Sequence, residues 1–177
     1  MEKNSTRPLA VGLVLLGVLG RLTQNLNFAP VGAVSLFAGA RMRGWQAYLL
    51  PVVLMAVTDP FLHGYSFATP FVYASFLINV WMGGKLLRRT EKPAWIGGVA
   101  AIGSVQFFLL TNFAVWVNPA QAMYPHNFAG LAACFAAGIP FFRNTLLADL
   151  IYSAAFFGLY ALLTRTVVRS ERVAAAA

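Results

Sequence analysis

The segment from Pro93 to Val117 contains no Asp, Glu, Lys or Arg, and Trp95 and Trp116 stand near its two ends. As a helix rising about 1.5 Å per residue, it would hold the two indoles roughly 31 Å apart, close to the ~30 Å hydrocarbon layer of a bilayer. Tryptophan favours both interfaces of that layer, so the spacing predicts a transmembrane helix. Composition closes off the soluble alternative. Of 177 residues, 59% are hydrophobic and 10% charged, against about 25% charged in a typical soluble domain. Too little polar surface is left to coat a globule.

Four more apolar segments precede this one, running from about Pro8 to Leu22, Phe28 to Ala40, Gln46 to Thr58 and Pro70 to Leu87. Pro30 sits where the second helix would open, a position that tolerates a missing N–H. Trp45 and Trp81 mark the same membrane face as Trp95. After Val117, Phe128 to Ile139 is apolar but only about a dozen residues, which reads as a re-entrant or interfacial helix. Phe141 to Leu163 is long enough to cross. No internal repeat stands out. The N-terminal run follows Glu2, Lys3 and Arg7 but lacks an A-x-A-like cleavage site, so it reads as a retained first span.

Charge chooses among topologies. With a cytoplasmic N-terminus and six spans, the inner segments hold Lys3, Arg7, Arg41, Arg43, Lys85, Arg88, Arg89, Lys92, Arg165, Arg169 and Arg172. These are 11 of the 13 basic residues, leaving Arg21 and Arg143 outside. Counting Phe128 to Ile139 as a seventh span lowers the inner count to 9. The positive-inside rule selects six. The expected fold is therefore an all-α membrane protein, a polytopic bundle of about six transmembrane helices plus one short re-entrant or interfacial helix. Both termini are cytoplasmic, in a bacterial cytoplasmic membrane. Residues 1–172 form one transmembrane domain and 173–177 a disordered tail. The net charge of +8 follows from this topology, and no pattern for nucleic acid competes with it.

In that topology, polar groups from four places gather at the outer ends of the helices: Arg21 and Asn27; Asp59; Asn112, Trp116 and Tyr124; and Arg143, Asn144 and Asp149. Convergent polar groups on an apolar wall are the usual form of a small-molecule site, so these nine are the candidate substrate-binding residues. Asp149 is the sharpest, about two turns into its span, where a carboxylate costs at least about 2.5 kcal/mol on insertion scales. Arg21 or His63 is its expected partner. Gln106 and Asn79 read as groups bonding one helix to another. Ala29, Ala33 and Gly39 lie on a small-residue face that serves either internal packing or the docking of a partner. Cys134 stands alone, and His63 and His126 lack ligands at metal spacing. Enzyme motifs are missing, so neither catalysis nor a cofactor is expected.

Asn27-Phe28-Ala29-Pro30-Val31-Gly32-Ala33 with Leu36-Phe37-Ala38-Gly39, Leu110-Thr111-Asn112-Phe113-Ala114-Val115-Trp116, Met123-Tyr124-Pro125 and Ile139-Pro140-Phe141-Phe142-Arg143-Asn144-Thr145-Leu146-Leu147-Ala148-Asp149 resemble the motifs of an uncharacterised family of small bacterial integral membrane proteins. That family is generally labelled as transport proteins, and it assigns no substrate. More loosely, the size and the outward polar cluster are similar to the substrate-binding (S) components of energy-coupling factor vitamin transporters. Those components bind a vitamin on the outer side and dock a separate ATP-driven module through small residues of the first span; the small-residue face here lies in the second.

These readings lead to one expected function and one rival. The first is membrane transport of a small vitamin-like or nucleobase-like solute, as a capture component with an outward-facing pocket. Its partners would be the solute, the lipid bilayer and an ATP-driven module. The rival is a non-transporting assembly or scaffold protein whose polar cluster is structural.

Overall fold

The computed structural model describes residues 7–21, 28–62, 64–120 and 123–175. Among them are six α-helices: α1 (Arg7–Arg21), α2 (Val31–Arg41), α3 (Gln46–Leu62), α4 (Thr69–Met82), α5 (Pro93–Val117) and α6 (Phe128–Ala175). A π-helical turn, Gly83–Leu87, continues α4. Glycines with positive φ, Gly44 and Gly64, turn the chain between α2 and α3 and between α3 and α4. Such φ values carry no steric cost for glycine. Proline stands in the first turn of both α4 and α5, where no N–H is needed. Asn127 caps α6, its Oδ1 accepting from the Gly130 N–H at 2.9 Å.

α2 is the central post. Every residue from Val31 to Ala40 is buried, and all five other helices pack against it. A helix apolar on every face needs such a position. Phe37 anchors it, with the rings of Phe156, Phe157 and Tyr160 centred 5.9, 5.3 and 5.5 Å away. The most extensive helix pair is α5 with α6. They run antiparallel, since Cys134 donates to the Asn112 carbonyl, Ser104 bonds Asp149, and Pro93 and Ala161 line one cavity.

Among the described residues, two helices are long and apolar enough to cross a membrane: α5, and Phe128–Thr166 of α6. The outward side of α5 carries Ile102, Val105, Leu109 and Phe113, all exposed and spaced as one helical stripe. A stripe of that kind suits lipid rather than water. Together these features point to a membrane protein.

Six full spans are not what the structure shows. α2 has 11 residues, about 16 Å of helix, or half a hydrocarbon layer. The expected separate helix at Phe128 to Ile139 is also corrected, because it is continuous with the following segment through Pro140. Pro140 and Ala136 are both exposed, and proline at 140 leaves the Ala136 carbonyl without its helical N–H. The two segments therefore make one continuous helix beside α5. The proposed tail is shortened too, since Val173 to Ala175 belong to α6, as the helix propensity of alanine favours.

Candidate functional site

Asp149 is 2% exposed. Its Oδ1 accepts from the Ala33 backbone N–H at 3.1 Å and its Oδ2 from the Ser104 hydroxyl at 2.7 Å. Ala33 is in the first turn of α2, where helical N–H groups have no partner within the helix. Pro30, the residue preceding that turn, makes no side-chain cap. Asp149 supplies the cap from across the bundle, and the positive end of the α2 dipole favours its charge. Gly32 makes the approach feasible. A Cβ there would overlap Oδ1 and lie 2.7 Å from Cγ.

A second polar group ties α1 to α3 and α4. Arg21 donates to Asp59 Oδ1 at 2.5 Å and to Thr58 Oγ1 at 2.7 Å, while Tyr73 donates to Asp59 Oδ2 at 2.5 Å. Thr58 donates in turn to the Met55 carbonyl. A shielded carboxylate with a guanidinium and a phenol on separate oxygens is well satisfied, and hydrogen bonds to charged groups contribute about 1.5–3 kcal/mol each.

The third group lines a cavity of about 160 Å³ between α5 and α6, walled by Phe107, Phe108, Thr111, Asn112, Val115, Gly138, Phe141, Phe142 and Thr145. The Asn112 amide is fixed at its edge: Nδ2 donates to the Phe108 carbonyl at 2.8 Å, and Oδ1 occupies the space that a side chain at position 138 would take. Phe108 meets Phe135 edge-on at 5.4 Å and Phe142 at 5.0 Å.

Among the described residues, the expected binding residues thus do not form one pocket. Arg21 and Asp59 join each other, but the expected pairing of Asp149 with Arg21 is corrected, since Arg21 is held by Asp59 and Asp149 by α2 and Ser104. The other expected partner, His63, lies outside the described residues, as does Asn27. Trp116 fastens the end of α5, its indole donating to the Pro125 carbonyl at 3.1 Å with the His126 ring against it. Tyr124 is half-buried in that loop, Arg143 is exposed, and Asn144 is half-buried on α6. Of the eight that are described, Asn112 alone lines the aromatic cavity.

Ala33 and Gly39 are buried and Ala29 is half-buried. A Cβ on Gly39 would overlap the Val80 carbonyl, and one on Gly83 the Leu36 carbonyl. Of the two uses open to the small-residue face, internal packing is the one that Ala33 and Gly39 serve here. Sequence reasoning passed over Ser104 and Tyr73, and it read Gly32 as a packing residue and not as the seat of a carboxylate. A proline-led helix start with a glycine in its first turn was the available signal, because such an uncapped end needs an acceptor from elsewhere.

Gln106 and Asn79 do join α5 to α4, with Nε2 donating to Asn79 Oδ1 at 3.1 Å and to the Ser75 carbonyl at 3.0 Å. Among the described residues, no group of three or more His, Cys, Asp or Glu is placed to hold a metal.

Residues 1–173 match the family of unknown function DUF6580. The chain belongs to that family. The match covers the Phe28–Ala33 and Ile139–Asp149 stretches that meet at the Asp149 cap. No curated protein and no solved structure matches the chain.

Proposed function

We propose that this chain is a multi-pass protein of the bacterial cytoplasmic membrane that binds a small planar solute in the α5–α6 cavity, as the capture step of transport. The observation that carries this reading is the cavity itself: four phenylalanines, one fixed amide and two threonines around about 160 Å³. An apolar cavity of roughly 150 Å³ accepts benzene, whereas drug-sized ligands need about 300 Å³ or more. Of the solutes considered from sequence, a single-ring, nucleobase-like compound therefore fits better than a larger vitamin. The aromatic walls would stack on its faces, and the amide and hydroxyls would meet its polar edge.

The test is copurification. The full chain, purified in detergent and then denatured, should release a stoichiometric small molecule detected by mass spectrometry. Asn112→Ala should remain folded and retain roughly fivefold less of it, the effect of one neutral hydrogen bond. Absence of any bound compound from wild type and variant alike would overturn the proposal.

One observation favours the rival scaffold reading: Asp59 and Asp149 are satisfied by the protein itself. Under that reading Asn112→Ala changes melting temperature and nothing else.

A further inference from the structure

At the other end of α5 a second recess, of about 510 Å³, opens where α4 passes into its π-helical turn. Its walls carry Lys85, Arg88 and Arg89 together with Trp81, Tyr48 and Gly84. The volume lies in the range of ordinary ligand sites, roughly 300–1,000 Å³. None of the three cations is in an ion pair among the described residues, where the two pairs are Arg21–Asp59 and Arg165–Glu91. The nearby acid, Glu91, faces Arg165 at 3.9 Å.

The backbone that carries these cations is held in place. Arg41 donates to the carbonyls of Arg88 and Thr90 at 3.2 and 3.1 Å, and the Trp95 indole donates to Leu86 at 3.0 Å. Gly83 and Gly84 press against Leu36 and Gly39 of α2, and the Arg88 guanidinium extends over Gly84. π-turns interrupt regular helices frequently at functional sites. Here the turn places three cations around a recess rimmed by exposed aromatics, Trp81 and Tyr48.

We infer that this recess binds a phosphate group, carried either by the headgroup of an anionic lipid or by a soluble phosphate compound. Guanidinium groups match phosphate oxygens in a bidentate fork. Basic pockets between helices at the cytoplasmic surface are the usual seats of anionic headgroups, with tryptophan at the same depth. The lipid form of the inference rests on the membrane placement proposed above. It is independent of the α5–α6 cavity.

Native mass spectrometry of the full chain in neutral detergent would test it. Titration with phosphatidylglycerol, with phosphatidylcholine of the same acyl chains, and with inorganic pyrophosphate separates the two sources. Preference for phosphatidylglycerol over phosphatidylcholine supports the lipid form, and saturable pyrophosphate binding without lipid supports the soluble form, which needs no membrane. In either case Arg88→Gln/Arg89→Gln should weaken binding roughly tenfold or more. Arg43→Gln/Lys92→Gln removes the same charge at the same end but outside the recess, and should leave affinity within about twofold. Melting curves of both variants check folding, and Lys85→Gln gives a milder second probe. Equal losses in the two double variants mean diffuse surface charge and overturn the inference, as does failure of all three ligands to bind.

Discussion

At the scale of single residues, the contact between Gly32 and Asp149 explains why two distant stretches of sequence depend on each other. Asp149 stands out in the sequence because a carboxylate deep in an apolar helix is costly. Its partner was not legible, because sequence spacing relates a side chain to its own helix and not to the start of another. Asp149→Ala leaves the Ala33 N–H without an acceptor and should destabilise the protein by about 1–3 kcal/mol. Gly32→Ala, in the presence of the carboxylate, should cost a similar amount through overlap. Once Asp149 is alanine, the overlap is gone, and adding Gly32→Ala should cost almost nothing. Denaturation of the two single variants and the double variant measures this coupling. Additive losses would mean that the cap is not what Gly32 accommodates.

At the scale of elements, α2 behaves as a half-length helix with its positive end inside the bundle. Its apolar face was legible as small-residue spacing, but that pattern reads the same for packing inside a bundle and for docking outside one. The deciding fact is tertiary: Gly39 meets the backbone at Val80, and Gly83 meets the backbone at Leu36. The shortness of Phe128 to Ile139 suggested a separate helix, and Pro140 after it is no break. A proline between two apolar runs ordinarily marks a boundary, yet α6 carries it on an exposed side and continues. The limits of α5 agreed with the sequence, since Pro93 starts it and the spacing of its tryptophans needs no tertiary information. Gly39→Ala and Gly83→Ala should each lower stability by about 1–3 kcal/mol, because backbone cannot yield as a flexible side chain does. Gly98, in the interior of α5, has open space around it. Gly98→Ala should raise stability by roughly 0.5–1 kcal/mol through helix propensity alone. Thermal unfolding in detergent distinguishes these signs, and a neutral Gly39→Ala would refute the close crossing of α2 and α4.

At the scale of the whole molecule, the arrangement of charge can be tested against the arrangement of helices. The sequence places Arg41, the 85–92 segment and Arg165 on one side by the positive-inside rule. The structure brings the same groups together by contact: Arg41 bonds the carbonyls of Arg88 and Thr90, and Arg165 faces Glu91. Helix direction puts the α3–α4 and α5–α6 connections at the opposite end, because α3 and α5 both run away from the basic end. The one cysteine, Cys134, is buried, so single-cysteine probes can be introduced into the native background. Glu91→Cys and Arg165→Cys should resist a membrane-impermeant maleimide in intact cells and react once the membrane is opened. Ser66→Cys and Ala120→Cys, both at exposed positions, should react in intact cells. Replacing Arg165 removes one positive charge from the inner side, and ten of the 11 inner basic residues of the six-span arrangement remain to hold orientation. If position 165 were labelled from outside together with position 120, α6 would have to turn back within the bilayer. Its continuous pairing with α5 from Cys134 to Ala161 would then be wrong, and with it the single passage on which the proposed topology depends.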